Sequence, residues 1–179
     1  MNLIRSAKKQ VRRIATRGRT NGETNDNANG GTDILDTLKK EHEEVAAMLQ
    51  QLVESDNGPA RKKLVKEIKA ALVPHLRAEE KVLYKSIIGL RDKQAKQDGE
   101  EGIIEHRLAD KMLAGLSKAQ SVTSPQFSAT AKVLKELVQH HVEEEEREIW
   151  NDVRENFSAD ARIEMNEKFE AAKQRVRVA

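Results

Sequence analysis

Two segments of this chain carry a histidine four residues before a glutamate: His75-Leu-Arg-Ala-Glu79 and His141-Val-Glu-Glu-Glu145. On a helix, positions i and i+4 share a face one turn apart, so each segment aims an imidazole and a carboxylate at one point. Two further histidines, His42 and His106, occupy buried positions in apolar helical stripes elsewhere. Together these are four imidazoles and two carboxylates, enough to give each of two ions two nitrogens and, if both carboxylates bridge, two oxygens. Ions preferring six-fold coordination would then keep positions for a shared oxygen bridge and a small exogenous ligand. The chain has no cysteine, which excludes disulfides, thiolate nucleophiles, zinc-thiolate and iron-sulfur sites. Nitrogen and oxygen donors without sulfur suit iron best, with manganese or zinc as alternatives.

An internal repeat ties the six residues together. Glu41-His42 matches Glu105-His106, and Met48-Leu49 matches Met112-Leu113 at the same offset. His75 through Tyr84 matches His141 through Trp150, so each half supplies one lone histidine and one His-x-x-x-Glu. Any one histidine in an apolar stripe is an ordinary hydrogen-bonded core residue. Six titratable groups aimed into one core would cost on the order of several kcal/mol per charged group, unless a cation neutralises them. His140 competes with His141, and the repeat and the Leu134, Leu137, His141 stripe select His141. A ferritin-like site would need Glu-x-x-His, the reverse order, and a zincin His-Glu-x-x-His, which is absent.

The elements that must position these groups are helices. With 35% charged and 3% aromatic residues, nine glycines and three prolines, the composition favours helix over a many-turned β protein. Ile34 opens a helical stripe through Leu35, Leu38, His42, Val45, Leu49 and Leu52, which stops near Asn57-Gly58-Pro59. A second runs from about Ala60 to Ile88, with Pro74 expected to bend it just before His75. The polar stretch Arg91 to Gly99 reads as a link to a third helix through His106, Ala109, Leu113 and Leu116. Ser124-Pro125 starts a fourth, which frays near Asn156, and residues 159–176 form an amphipathic cover or docking element. Four such helices with short links predict an all-α, antiparallel up-down-up-down four-helix bundle over residues 33–156, with a C-terminal helix in 157–179.

Ahead of the bundle, residues 1–22 carry seven cations and no acid; against +2 for the whole chain, that leaves −5 for the rest. Residues 1–19 read as a basic amphipathic arm and 20–32 as a flexible polar linker. The arm has no aromatic residue to stack on bases, so a solvated extension is favoured over contact with nucleic acid or an anionic surface. It lacks the apolar stretch of a secretory signal or membrane span, and the chain is expected in the cytoplasm.

The pattern His, His-x-x-x-Glu, His, His-x-x-x-Glu resembles the hemerythrin family, in its bacterial HHE cation-binding branch, across roughly residues 33–155. The resemblance implies a left-handed bundle holding two iron ions bridged by two carboxylates and an oxo or hydroxo group. It implies His42, His75, His106 and His141 as terminal ligands and Glu79 and Glu145 as bridges. It further implies binding of, or reaction with, oxygen, nitric oxide or peroxide in stress response or sensing, or alternatively a non-enzymatic iron or redox sensor signalling through its termini. One departure stands out: where the oxygen-carrying members have a fifth histidine, one turn after His106, this chain has Asp110. Asp110 is expected to accept from an imidazole or to lie at the surface, and Tyr84 and Trp150 to pack at the bundle end.

Overall fold

A computed structural model describes residues 30–178; the basic arm and residues 20–29 of the linker lie outside the described residues. Among those described, the elements are α1 (Ile34–Glu54), α2 (Gly58–Glu79), a π-helical turn π1 (Glu80–Tyr84), α3 (Lys85–Ile88), α4 (Lys93–Ser117), α5 (Pro125–Glu144), a second π-helical turn π2 (Glu145–Ile149), α6 (Trp150–Asn156) and α7 (Ala159–Lys173). The runs α2-π1-α3 and α5-π2-α6 are each one continuous helical rod. With α1 and α4 they form the four-helix bundle, and α7 lies across α1, α2 and π1.

Each rod starts where a short polar side chain satisfies the free amides of a first turn. Asp33 accepts from the amide of Leu35, Asn57 from Ala60, Asp92 from Ala95, Ser124 from Phe127 and Ser158 from Ala161. Pro59 and Pro125 occupy first turns, where the missing N–H removes no helical bond. Pro74 lies inside α2, which continues through it to Glu79.

Two differences from the sequence reading bear on the site. The stretch Arg91 to Gly99 is mostly helix, not link, because Asp92 caps α4 seven residues before Gly99. Its glycines serve close packing rather than a turn. A Cβ on Gly102 would lie 2.6 Å from the Tyr84 hydroxyl, and one on Gly99 2.9 Å from Ile88 Cγ1. The other difference is that the second and fourth rods are each broken by a π turn at the matched place in the repeat, beside Glu79 and at Glu145.

Apolar residues fill the bundle in two blocks. Ile34, Leu38, Leu83, Ile87, Ile149, Trp150 and Phe169 belong to one; Leu49, Leu52, Ile68, Leu113, Phe127 and Leu134 to the other. Fully burying one such side chain contributes about 2 kcal/mol. Between the blocks, on every rod, the stripe is interrupted by the titratable residues of the repeat.

Candidate metal centre

His42 of α1, His75 and Glu79 of α2, His106 of α4, His141 of α5 and Glu145 of π2 are all at most 6% exposed. The structure brings all six together. His42, His75 and Glu79 can offer ligand atoms within 4.8 Å of one another, and so can Glu79, His106 and His141, so the two groups share Glu79. The Glu79 carboxylate lies 3.1 Å from His75 Nε2 and 3.5 Å from His106 Nε2 through Oε2, and 3.9 Å from His42 Nε2 through Oε1. Glu145 Oε2 also spans the two groups, 3.4 Å from His42 Nε2 and 3.8 Å from His141 Nε2. His140 points outward with its side chain 58% exposed, beside Glu144.

While each Nε2 faces the centre, each Nδ1 faces a carboxylate on a neighbouring rod. His75 Nδ1 donates to Glu41 at 2.9 Å, His141 Nδ1 to Glu105 at 2.8 Å and His42 Nδ1 to Glu146 at 3.1 Å; His106 Nδ1 lies 3.4 Å from Glu80. A proton fixed on Nδ1 leaves the Nε2 lone pair free for a metal, and the carboxylate raises its basicity. These four glutamates were not among the residues predicted from sequence. Their signal was the repeat itself, which pairs Glu41-His42 with Glu105-His106 and Glu79-Glu80 with Glu145-Glu146.

The chemistry of the donor set fits metal ions. His42 Nε2 and both oxygens of Glu79 and of Glu145 are buried without a hydrogen-bond partner. Leaving such groups unsatisfied costs about 1–3 kcal/mol each, and more when charged. His106 Nε2 and His141 Nε2 stand 3.0 Å apart, facing each other. Two nitrogens bound at right angles to one ion at about 2.1 Å would have the same separation. Burial and the like charge of Glu79 push the Glu145 carboxyl up to about 7. Burial opposes a charge on His75, but Glu79 and Glu41 overcome it and hold the imidazole at about 10. Burial lowers His106, and His141 adds to the effect.

Tyr84 and Trp150 pack on the centre rather than only at the bundle end. The Tyr84 ring lies 5.2 Å edge-on from His106, and Trp150 stacks 6.0 Å from His42. At 100° per residue, a side chain five positions after a glutamate sits about 140° around the helix from it; a π turn absorbs one residue and reduces that to about 40°. The two π turns thereby bring both rings onto the ligand face. From outside the bundle, α7 adds Phe169, edge-on to His75 at 5.8 Å, and Lys173, paired with Glu41. Asp110 belongs to neither ligand group; it pairs with Arg77, which reaches Glu80 at 2.9 Å.

An all-α bundle whose four rods converge histidines and shared carboxylates on one buried point defines a non-haem, dinuclear metal protein. The chain belongs to the hemerythrin HHE cation-binding domain family, which matches residues 33–151. Among curated proteins, a DNA nickase of Nostoc sp. is 27% identical over 147 residues, covering 80% of this chain and 40% of the nickase. The chain thus corresponds to well under half of that relative's length. No solved structure matches. Two clusters sharing Glu79 make up a site of the di-iron hemerythrin type, and among the described residues no helix is long and apolar enough to cross a membrane.

Proposed function

We propose that His42, His75, His106 and His141 ligate two iron ions through Nε2, with Glu79 and Glu145 bridging, and that the pair binds or reacts with oxygen, nitric oxide or peroxide. The observation carrying this reading is an apolar cavity against the four imidazoles. It is walled by Val45, Leu72, Leu76, Ala109, Val138 and Val142, with a volume of about 20 Å³. Such a space takes one water-sized guest, and its apolar wall favours a small neutral molecule over an ion. When bound, the iron pair would supply open coordination positions and electrons for that guest. The protein's part is to hold His42, His75 and His141 in one tautomer through Glu146, Glu41 and Glu105, and to keep bulk water from the centre with the surrounding apolar blocks.

Asp110 bears on which reaction is served. Without a fifth imidazole there, the donor set is richer in oxygen than that of an oxygen carrier, which favours reaction or sensing over reversible carriage. A second reading, signalling through the chain ends, is favoured by the contacts of Phe169 and Lys173 with His75 and its partner Glu41.

Metal analysis of iron-loaded protein tests the assignment. About two irons per chain are expected, with His75→Ala or Glu79→Ala abolishing loading and His140→Ala leaving it intact. Loading lost in His140→Ala but kept in His141→Ala would overturn the register. Consumption of peroxide or nitric oxide by the loaded protein then separates chemistry from signalling.

A further inference from the structure

A second opening reaches the centre towards the other apolar block. It is a polar cleft of about 190 Å³ between α4 and the α5-π2 rod. Asp98 and Glu101 of α4 and Glu144 and Glu148 of the facing rod line it, and Tyr84 and Glu145 lie at its buried end. Resting on the metal reading above, we propose that this cleft is the route by which divalent cations enter the site.

Three observations support the route. Both Glu145 oxygens and the Tyr84 hydroxyl are buried without partners at the inner end, on residues 1% exposed. An arriving ion therefore meets free oxygen donors together with His141, which also lines the cleft, and Glu145 already touches His42 of one ligand group and His141 of the other. The rim is also short of compensating cations. Arg147 reaches Glu144 and Glu148, and His140 reaches Glu144, but among the described residues Asp98 is met only by the Gln94 amide, and no ion pair forms at Glu101. Asp98 and Glu101 on α4 and Glu144 and Glu148 on the facing rod line the same cleft, and Asp98 and Glu148 are among the like charges that, after burial and Asp92, raise the carboxyl of Asp152 on α6. Finally, the alternative approach is the apolar cavity. Moving a bare divalent ion through it would lose hydration worth far more than its walls return. The two openings thus divide by charge: cations through the carboxylates, small neutral molecules through the apolar wall.

Trp150, the chain's single tryptophan, stacks on His42 and reports arrival of a quenching ion. The experiment mixes metal-free full-length protein with Co²⁺ in a stopped-flow fluorimeter and measures bound Co²⁺ per chain at equilibrium. Asp98→Asn/Glu101→Gln is expected to load about tenfold more slowly at low salt, and Asp98→Lys/Glu101→Lys more slowly still, with the same final Co²⁺ content. The difference should shrink at molar salt, where screening lengths fall to about 3 Å. Glu43→Gln/Glu44→Gln, exposed on α1 and away from the cleft, should load like the parent. Equal rates in parent and cleft variants would overturn the entry route. A fall in final Co²⁺ content would overturn it too, by making the rim part of the binding site. A parent that binds no Co²⁺ would instead overturn the metal reading beneath it.

Discussion

Replacing Glu41 by glutamine should weaken metal binding although Glu41 is not itself a proposed ligand. Its carboxylate accepts from His75 Nδ1 at 2.9 Å and also pairs with Lys173. Glutamine keeps the shape but removes the charge that makes the imidazole a stronger donor. Its amide can also present N–H₂ to Nδ1, which moves the imidazole proton to Nε2, the atom that must be bare. Loss of such an outer partner costs about 10–100-fold in metal affinity, or about 1.4–2.7 kcal/mol. Glu105→Gln should behave alike, because Glu105 stands to His141, at 2.8 Å, as Glu41 stands to His75. Co²⁺ affinity measured by competition with a chromophoric chelator checks both, with Glu44→Gln, whose exposed side chain meets Lys40 at 3.9 Å, as the control. Unchanged affinity in both variants, or an equal loss in the control, would refute the claim that the Nδ1 partners set the ligand state.

Two further outcomes follow from the same contacts. In the metal-free protein, His75 is held at about 10 against an ordinary 6.5 and Glu145 at about 7 against 4.5, so the folded state keeps protons that the unfolded chain releases. That stability is complete below the unfolded values and is lost as pH rises through the folded ones; the urea midpoint of chelator-treated protein should be lower at about pH 9 than at about pH 6, and a higher midpoint at pH 9 would contradict it. If the second reading holds, amide exchange in α7 around Phe169 and Ala172 should slow on metal loading, since ordering His75 and Glu41 steadies what α7 rests on; identical exchange with and without metal would remove signalling through that helix.

The bundle and the six inner residues were legible because both rest on periodicity. A histidine that replaces leucine in a stripe, as His42 does between Leu38 and Val45, is buried for the same reason that its neighbours are. What periodicity could not reach depends on how rods pack. Glu41, Glu80, Glu105 and Glu146 each sit next to one of the six inner residues in sequence but face a histidine on a different rod. On a single helix they are indistinguishable from solvated charges. The π turns escaped for a related reason: an α-helical period of 3.6 carried through Glu80 to Tyr84 puts the tyrosine off the face it occupies. Gly99 reads in the sequence as the end of a link, and the packing role of Gly99 and Gly102 goes unseen there, since the need for a missing Cβ appears only once Ile88 and Tyr84 lie against α4.

The exchange of outer carboxylates has a consequence that the six inner residues alone do not. Glu41 links α1 to His75 on α2, and Glu80 links π1 to His106 on α4. Glu105 links α4 to His141 on α5, and Glu146 links π2 back to His42 on α1. The four contacts close a ring around the bundle, each joining one rod to the next. The same contacts, which are hydrogen bonds that set the tautomer at His42, His75 and His141 and a 3.4 Å approach at His106, therefore also fix the relative height of adjacent rods. Ions binding the inner nitrogens would favour only the arrangement in which all four links are made, so metal affinity and bundle stability draw on one set of contacts. Because Lys173 pairs with the Glu41 member of that ring, α7 is fastened to the one link that lies between α1 and α2, where its own apolar face is buried. Any event that opens this link, whether loss of metal or loss of the Glu41 charge, must loosen the helix covering it.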